Sequence, residues 1–104
     1  MEQPIFQGVC TALVTPFLDD SVNYPMLERL VKHQIDSGVS AVVLAGTTGE
    51  APTLTDEEKI TMFSRVKNYT ADNCTVICGT GSNSTTHAVA LSVAAEEAGA
   101  DALL

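Results

Sequence analysis

Gly38-Val-Ser-Ala-Val-Val-Leu-Ala-Gly-Thr-Thr-Gly-Glu50 is the stretch on which the fold turns. Its centre, Ala41-Val-Val-Leu-Ala45, is a short apolar run without interruption. Such a run lacks the alternation of a half-exposed strand and marks one buried on both faces. Gly38 stands just before it, where a helix commonly ends on a left-handed residue. Gly46 and Gly49 follow, in a loop that also carries Thr47, Thr48 and Glu50. The order is helix, buried strand, loop.

The same order recurs in both directions. Upstream, Asn23 is placed to cap a helix whose apolar face is Leu27, Leu30, Val31 and Ile35. Before it, Gly8–Val14 reads as a first strand, ended by Thr15-Pro16. Downstream, Thr55-Asp-Glu-Glu58 is a capping box that opens a helix burying Ile60, Phe63 and Val66. Thr75–Cys78 is a third strand, followed by the loop Gly79-Thr-Gly-Ser-Asn-Ser84. A helix from Thr85 to Ala98 stops at Gly99, and Asp101–Leu104 begins a fourth strand. Strand starts lie about 32, 34 and 26 residues apart, the repeat of βα units with parallel strands and helical crossovers. The closed eight-unit barrel and the open doubly wound sheet both repeat in this way. Both bind ligands at the carboxyl ends of strands, which directs attention to Thr15-Pro16, Gly46–Glu50 and Gly79–Ser84.

The chain has 104 residues, 45% of them apolar, and thirteen acids against five bases give a net charge of −8. That balance disfavours nucleic acid and anionic membranes, which are gripped by clustered Lys and Arg. No apolar run approaches the ~20 residues of a membrane-spanning helix. Met1-Glu2-Gln3-Pro4 lacks the basic start of a signal or transit peptide, so the expectation is a soluble, cytoplasmic protein. Cys10, Cys74 and Cys78 form no disulfide framework, and no further ligands stand near the Cys74/Cys78 pair. They read as reduced, buried thiols, with no metal and no cofactor expected.

Two loops invite a chemical reading. Gly79–Ser84 resembles a dinucleotide fingerprint but has Ser84 where the third glycine belongs, and it follows the third strand rather than the first. Asp101 lies at the wrong end of its strand for a ribose-binding acid, and no P-loop occurs. Gly46–Glu50 is more informative. Its glycines permit a tight turn that aims amide groups at one point, and Thr47 and Thr48 add two hydroxyls. Together they are able to hold a carboxylate and pass a proton, although a threonine can only relay between stronger acids and bases. The alternative is that the two threonines merely close the turn.

With Ala12-Leu-Val-Thr-Pro-Phe17, Gly38–Glu50, Leu54-Thr-Asp-Glu-Glu58 and Gly79-Thr-Gly-Ser-Asn83 in this order and spacing, all 104 residues resemble the dihydrodipicolinate (4-hydroxy-tetrahydrodipicolinate) synthase family. These are pyruvate-dependent class I aldolases of the N-acetylneuraminate lyase superfamily. The Thr47-Thr48 pair favours the synthases over the lyases, which usually carry Gly-Ser-Thr-Gly-Glu in this loop.

The resemblance implies the α/β class and a (β/α)8 TIM barrel, of which residues 1–104 form the N-terminal part: three βα units and the start of a fourth strand. It also implies condensation of pyruvate with aspartate semialdehyde through a lysine Schiff base, in lysine and diaminopimelate biosynthesis, by a homotetramer. By position Thr47 matches a proton-relay threonine and Thr48 the residue that binds the pyruvate carboxylate, while Glu50 fixes the loop.

Two parts of that machinery have no match. A Schiff-base lysine needs a desolvated pocket at a strand end. Lys32, Lys59 and Lys67 all fall on predicted helices amid surface charge. Tyr24 and Tyr69 match neither relay tyrosine. The isolated chain is therefore expected to be a non-catalytic portion of a longer enzyme.

Lysine-inhibited members carry two histidines where this chain has Asp56 and Lys59, and a glutamate where it has His87 after Asn83, so weak or absent feedback is expected. His87 itself reads as a surface residue in the first turn of its helix. A related aldolase (N-acetylneuraminate lyase or 2-keto-3-deoxy sugar acid aldolase) and a non-catalytic half-barrel module with its edges covered by a partner are the other readings.

Overall fold

A computed structural model describes residues 3–104; Met1 and Glu2 of the N-terminal reading lie outside the described residues. Strands β1 (Cys10–Ala12), β4 (Ala41–Leu44), β5 (Thr75–Cys78) and β6 (Ala102–Leu103) form a parallel sheet in the order β1-β4-β5-β6. Helices α1 (Tyr24–Asp36), α2 (Asp56–Thr70) and α3 (Thr85–Glu97) cross between successive strands. A two-stranded hairpin, β2 (Phe17–Leu18) with β3 (Ser21–Val22), lies between β1 and α1.

Strand order decides between the two candidate architectures. Spatial order follows chain order without reversal, α1 packs on α2, and α2 packs on α3. A doubly wound sheet reverses at a switch point and places helices on both faces. Here the helices stand side by side on one face, as in a run of barrel units. Register shows the two faces. Thr11, Val42 and Val76 lie in one row, and the Thr11 hydroxyl donates to Gln34 Oε1 of α1 at 2.8 Å, so this row faces the helices. Ala12, Val43, Ile77 and Ala102 lie in the next row, on the opposite face as strand pleating requires. Val42 and Val76 are fully buried, whereas Val43 and Ile77 are half-buried.

The helix boundaries follow from capping. Asn23 Oδ1 accepts from Met26 N–H at 3.2 Å, and Gly38 lies beyond the end of α1 at φ 92°. Both halves of the α2 capping box form: Glu58 N–H donates to Thr55 Oγ1 at 3.1 Å and Thr55 N–H to Glu58 Oε1 at 2.9 Å. Ser84 caps α3, and Gly99 follows its end at φ 106°.

Three expectations need correction. The first strand is three residues long rather than seven, because after Ala12 only Leu13 N–H continues the ladder, to Val43 O at 3.1 Å. The hairpin was not expected; its turn uses Asp19 and Asp20 at φ 51° and 65°, a conformation that aspartate tolerates. On α2 the buried stripe is Lys59, Met62, Phe63, Val66 and Thr70, and Ile60 is only half-buried. The aliphatic stem of Lys59 takes the inward position one turn before Phe63, as long charged side chains can.

Candidate functional site

The site is built on the loop that leaves the carboxyl end of β4. Ala45 turns the chain at φ 54°, and Glu50 closes the loop at φ 62°. Glu50 N–H donates to Thr47 O at 3.1 Å and Ala51 N–H to Gly46 O at 3.2 Å, so the loop folds on itself. A short 3-10 turn, Ala51–Thr53, follows; the Thr53 hydroxyl donates to Glu50 O at 2.9 Å and to Glu50 Oε1 at 3.4 Å. The Glu50 carboxylate thus lies against the next turn.

Two contacts from other βα units hold this loop. The Thr15 hydroxyl, just past the first strand, donates to Gly49 O at 2.7 Å in a buried position. On the other side Gly79 presses against Ala45: a Cβ there would lie 2.2 Å from Ala45 O. Only glycine allows β5 to pass so close.

Thr47 and Thr48 are both exposed at the mouth formed by these loops. Thr47 lines a cavity of about 360 Å³ together with Ala45, Gly46, Gly79 and Gly81. Among the described residues, this cavity has no titratable side chain on its wall. It offers a hydroxyl and backbone groups, which suit an uncharged or anionic oxygen, and it contains no general base.

A second cavity, of about 450 Å³, opens between the first turns of α2 and α3. His87 bridges it, with Nε2 2.7 Å from Asp56 Oδ2 and Nδ1 2.8 Å from Ser82 Oγ. His87 is thus a surface residue of the first turn of α3, 41% exposed in its side chain, with both ring nitrogens bonded rather than free. Lys59 also lines this cavity; its side chain is only 7% exposed, and Nζ stands 4.0 Å from Asp56 Oδ1. Lys59 lies on a helix and near charge as expected, but it is buried rather than at the surface, for the reason given by the α2 stripe. Asp56 and His87, opposite in charge when the imidazole is protonated, now occupy facing walls.

The remaining polar groups are structural. Asp101 lies at the amino ends of the strands, its carboxylate accepting from Lys67 Nζ at 2.9 Å and from Val76 N–H at 2.9 Å. Lys32 pairs with Asp36 on the exposed face of α1. Cys74 and Cys78 are buried and Cys10 half-buried, and all three thiols are free. Burial, and to a lesser degree the charge of Asp101, pushes the Cys78 thiol up from 9.0 to about 12. Among the described residues no group of three His, Cys, Asp or Glu side chains converges on a point. No described helix is long and apolar enough to cross a membrane.

Sequence reasoning placed Thr47 and Thr48 on a loop at a strand end, and the structure puts them there. It missed the contact from Thr15 to Gly49, reading Thr15-Pro16 only as the end of a strand. The available signal was a hydroxyl next to Pro16 at one of the three carboxyl-end loops.

A model of the dihydrodipicolinate synthetase family matches residues 5–104. The 4-hydroxy-tetrahydrodipicolinate synthase of Acetivibrio thermocellus is 46% identical over 104 residues, 100% of this chain and 36% of the relative. That of Fervidobacterium nodosum is 50% identical over 100 residues, 96% of this chain and 34% of the relative. Among solved structures, dihydrodipicolinate synthase from Aquifex aeolicus superposes with a TM-score of 0.91 at 43% identity, over 94% of this chain and 33% of that one. The chain spans about a third of the length of the curated relatives it matches.

Proposed function

The chain belongs to the dihydrodipicolinate synthetase family, and from that premise we propose that the protein carrying it is a 4-hydroxy-tetrahydrodipicolinate synthase. It condenses pyruvate with L-aspartate 4-semialdehyde through a lysine Schiff base, in the cytoplasm, as a homotetramer. The observation that carries this reading is the Thr47-Thr48 turn at the carboxyl end of β4, beside a cavity with neutral walls. In it Thr48 takes the pyruvate carboxylate with its hydroxyl and amide. Thr47 relays a proton between groups of stronger acidity, since its own hydroxyl is too weak an acid to begin the transfer.

The 104 residues by themselves do not complete this chemistry. Their three lysines lie at other places: Lys32 on the outer face of α1, Lys59 in the cavity between α2 and α3, and Lys67 bound to Asp101 at the amino ends of the strands. None is at the carboxyl end of a strand. Borohydride trapping with pyruvate tests both statements. The full-length protein is expected to gain a covalent adduct and the 104-residue chain none; an adduct on the short chain, or none on the long one, overturns the reading.

Feedback by lysine is weak or absent in the same reading. A bound ammonium gains most from a charge-assisted bond, about 1.5–3 kcal/mol. Lys59 presents a cation to the cavity, and the Asp56 carboxylate is already bonded to His87. Inhibition of the full-length enzyme by micromolar lysine contradicts this.

A further inference from the structure

We infer that Thr15 is the positioning residue of the anion-binding turn, acting through two hydrogen-bonded peptide units on the direction of Thr48 N–H. This rests on the reading of Thr48 as the pyruvate-carboxylate residue. The Thr15 hydroxyl donates to Gly49 O at 2.7 Å across 34 residues of sequence, and Thr15 is 5% exposed. Gly49 O belongs to the same peptide unit as Glu50 N–H. That N–H donates to Thr47 O at 3.1 Å. Thr47 O in turn belongs to the same peptide unit as Thr48 N–H. Because each peptide is planar, fixing its oxygen fixes its N–H.

The chain of donors thus runs from the Thr15 hydroxyl, through two peptides, to the amide that faces the ligand. Bonds in such a chain also polarise one another, which makes the last N–H a better donor.

Several features make Thr15 a firm origin for this chain. Pro16 restricts Thr15 to extended backbone, and Pro16 O is held by Asn23 N–H at 2.8 Å. Gly49 is wedged in place: a Cβ would lie 3.0 Å from Ala45 N and 3.1 Å from Leu13 O. Glu50 sits at φ 62°, a conformation that costs a non-glycine residue energy and so needs outside support. Among the described residues, no other side chain from a neighbouring βα unit donates to residues 46–50.

Thr15→Val removes only the donor, and Thr15→Ser keeps it. In the full-length enzyme, Thr15→Val is expected to raise KM for pyruvate about tenfold or more while KM for the aldehyde stays within threefold, as loss of an oriented contact implies. Thr15→Ser should stay within about threefold of wild type for both. Peptides spanning residues 46–51 should exchange amide hydrogen faster in Thr15→Val, because Gly49 O loses its donor and the peptide that carries Glu50 N–H is no longer held against Thr47 O. Thr15→Ala, which also lacks the donor, is read by the same criteria where Thr15→Val does not remain folded.

The inference is overturned by wild-type pyruvate KM and wild-type exchange in the variant without a donor, or by failure of Thr15→Ser to restore them. A wild-type enzyme that forms no pyruvate adduct sinks the functional reading instead. The exchange measurement then still decides whether Thr15 positions the turn.

Discussion

Gly79→Ala is the perturbation that most directly tests the packing of the site. A Cβ at this position would lie 2.2 Å from Ala45 O, 2.7 Å from Ala45 C and 3.1 Å from Gly46 N. Carbon and oxygen in ordinary contact are separated by roughly 3.4 Å, so the two backbones must part by about 1 Å. They cannot part freely, since Gly79 N–H donates to Leu44 O at 2.8 Å as the last rung between the two units.

Losing that rung costs about 0.5–1.5 kcal/mol, and overpacking adds about 1–3 kcal/mol. A destabilisation of roughly 1.5–4.5 kcal/mol follows from those two contributions. The displaced segment, Ala45-Gly46, leads straight into Thr47. A shift of about 1 Å there is expected to lower kcat/KM for pyruvate by on the order of 100-fold.

Urea denaturation gives the first quantity, and steady-state kinetics of the full-length enzyme, well below its transition, give the second. Gly38→Ala is the control. No atom lies within 4 Å of its added Cβ, so only the φ of 92° is penalised, by about 1 kcal/mol, and the rate should not change. A Gly79→Ala enzyme within 0.5 kcal/mol and threefold of wild type would refute the reasoning (both limits about the spread of neutral surface changes).

Two further outcomes follow from groups outside the site. Asp101→Ala leaves Val76 N–H without its acceptor and is expected to cost about 1–3 kcal/mol in denaturant unfolding. Asp101→Asn keeps an oxygen acceptor and should lose only the half-screened Lys67 pair, about 1 kcal/mol or less; equal losses for the two variants contradict the assignment.

Cys78, raised to about 12 by burial, stays protonated in the folded chain while an unfolded thiol ionises near 9.0. Its contribution is therefore complete below pH 9.0 and is lost as pH rises toward about 12, by up to about 1.4 kcal/mol per pH unit. Cys78→Ala should flatten that alkaline slope, and an unchanged slope rejects the cause.

The helices were legible because their signals are local. Asn23, the Thr55/Glu58 box, Gly38 and Gly99 act within one turn of the residues they cap, so their effect is written in adjacent positions. The apolar run Ala41–Ala45 and the glycines that follow it likewise marked a buried strand and the loop at its carboxyl end. The exposed Thr47-Thr48 pair could be located for the same reason, as neighbours on one turn.

Ile60 and Lys59 show where local reading fails. Periodicity allows either to point inward, and the choice depends on how α2 rolls against its neighbours.

What the sequence determined by itself was the alternation of strand and helix, the ends of each helix, and the three loops at the carboxyl ends. Tertiary structure alone decided the rest. Strand order selected barrel units over an open sheet, because pairing depends on which edge each strand joins rather than on its composition. Packing buried Lys59 and bonded His87 to Asp56 across 31 residues. It also brought the Thr15 hydroxyl to Gly49 and Gly79 against Ala45. A hydrogen bond or close approach between distant units has no local signature, since it exists only once the intervening chain has folded and closed the distance.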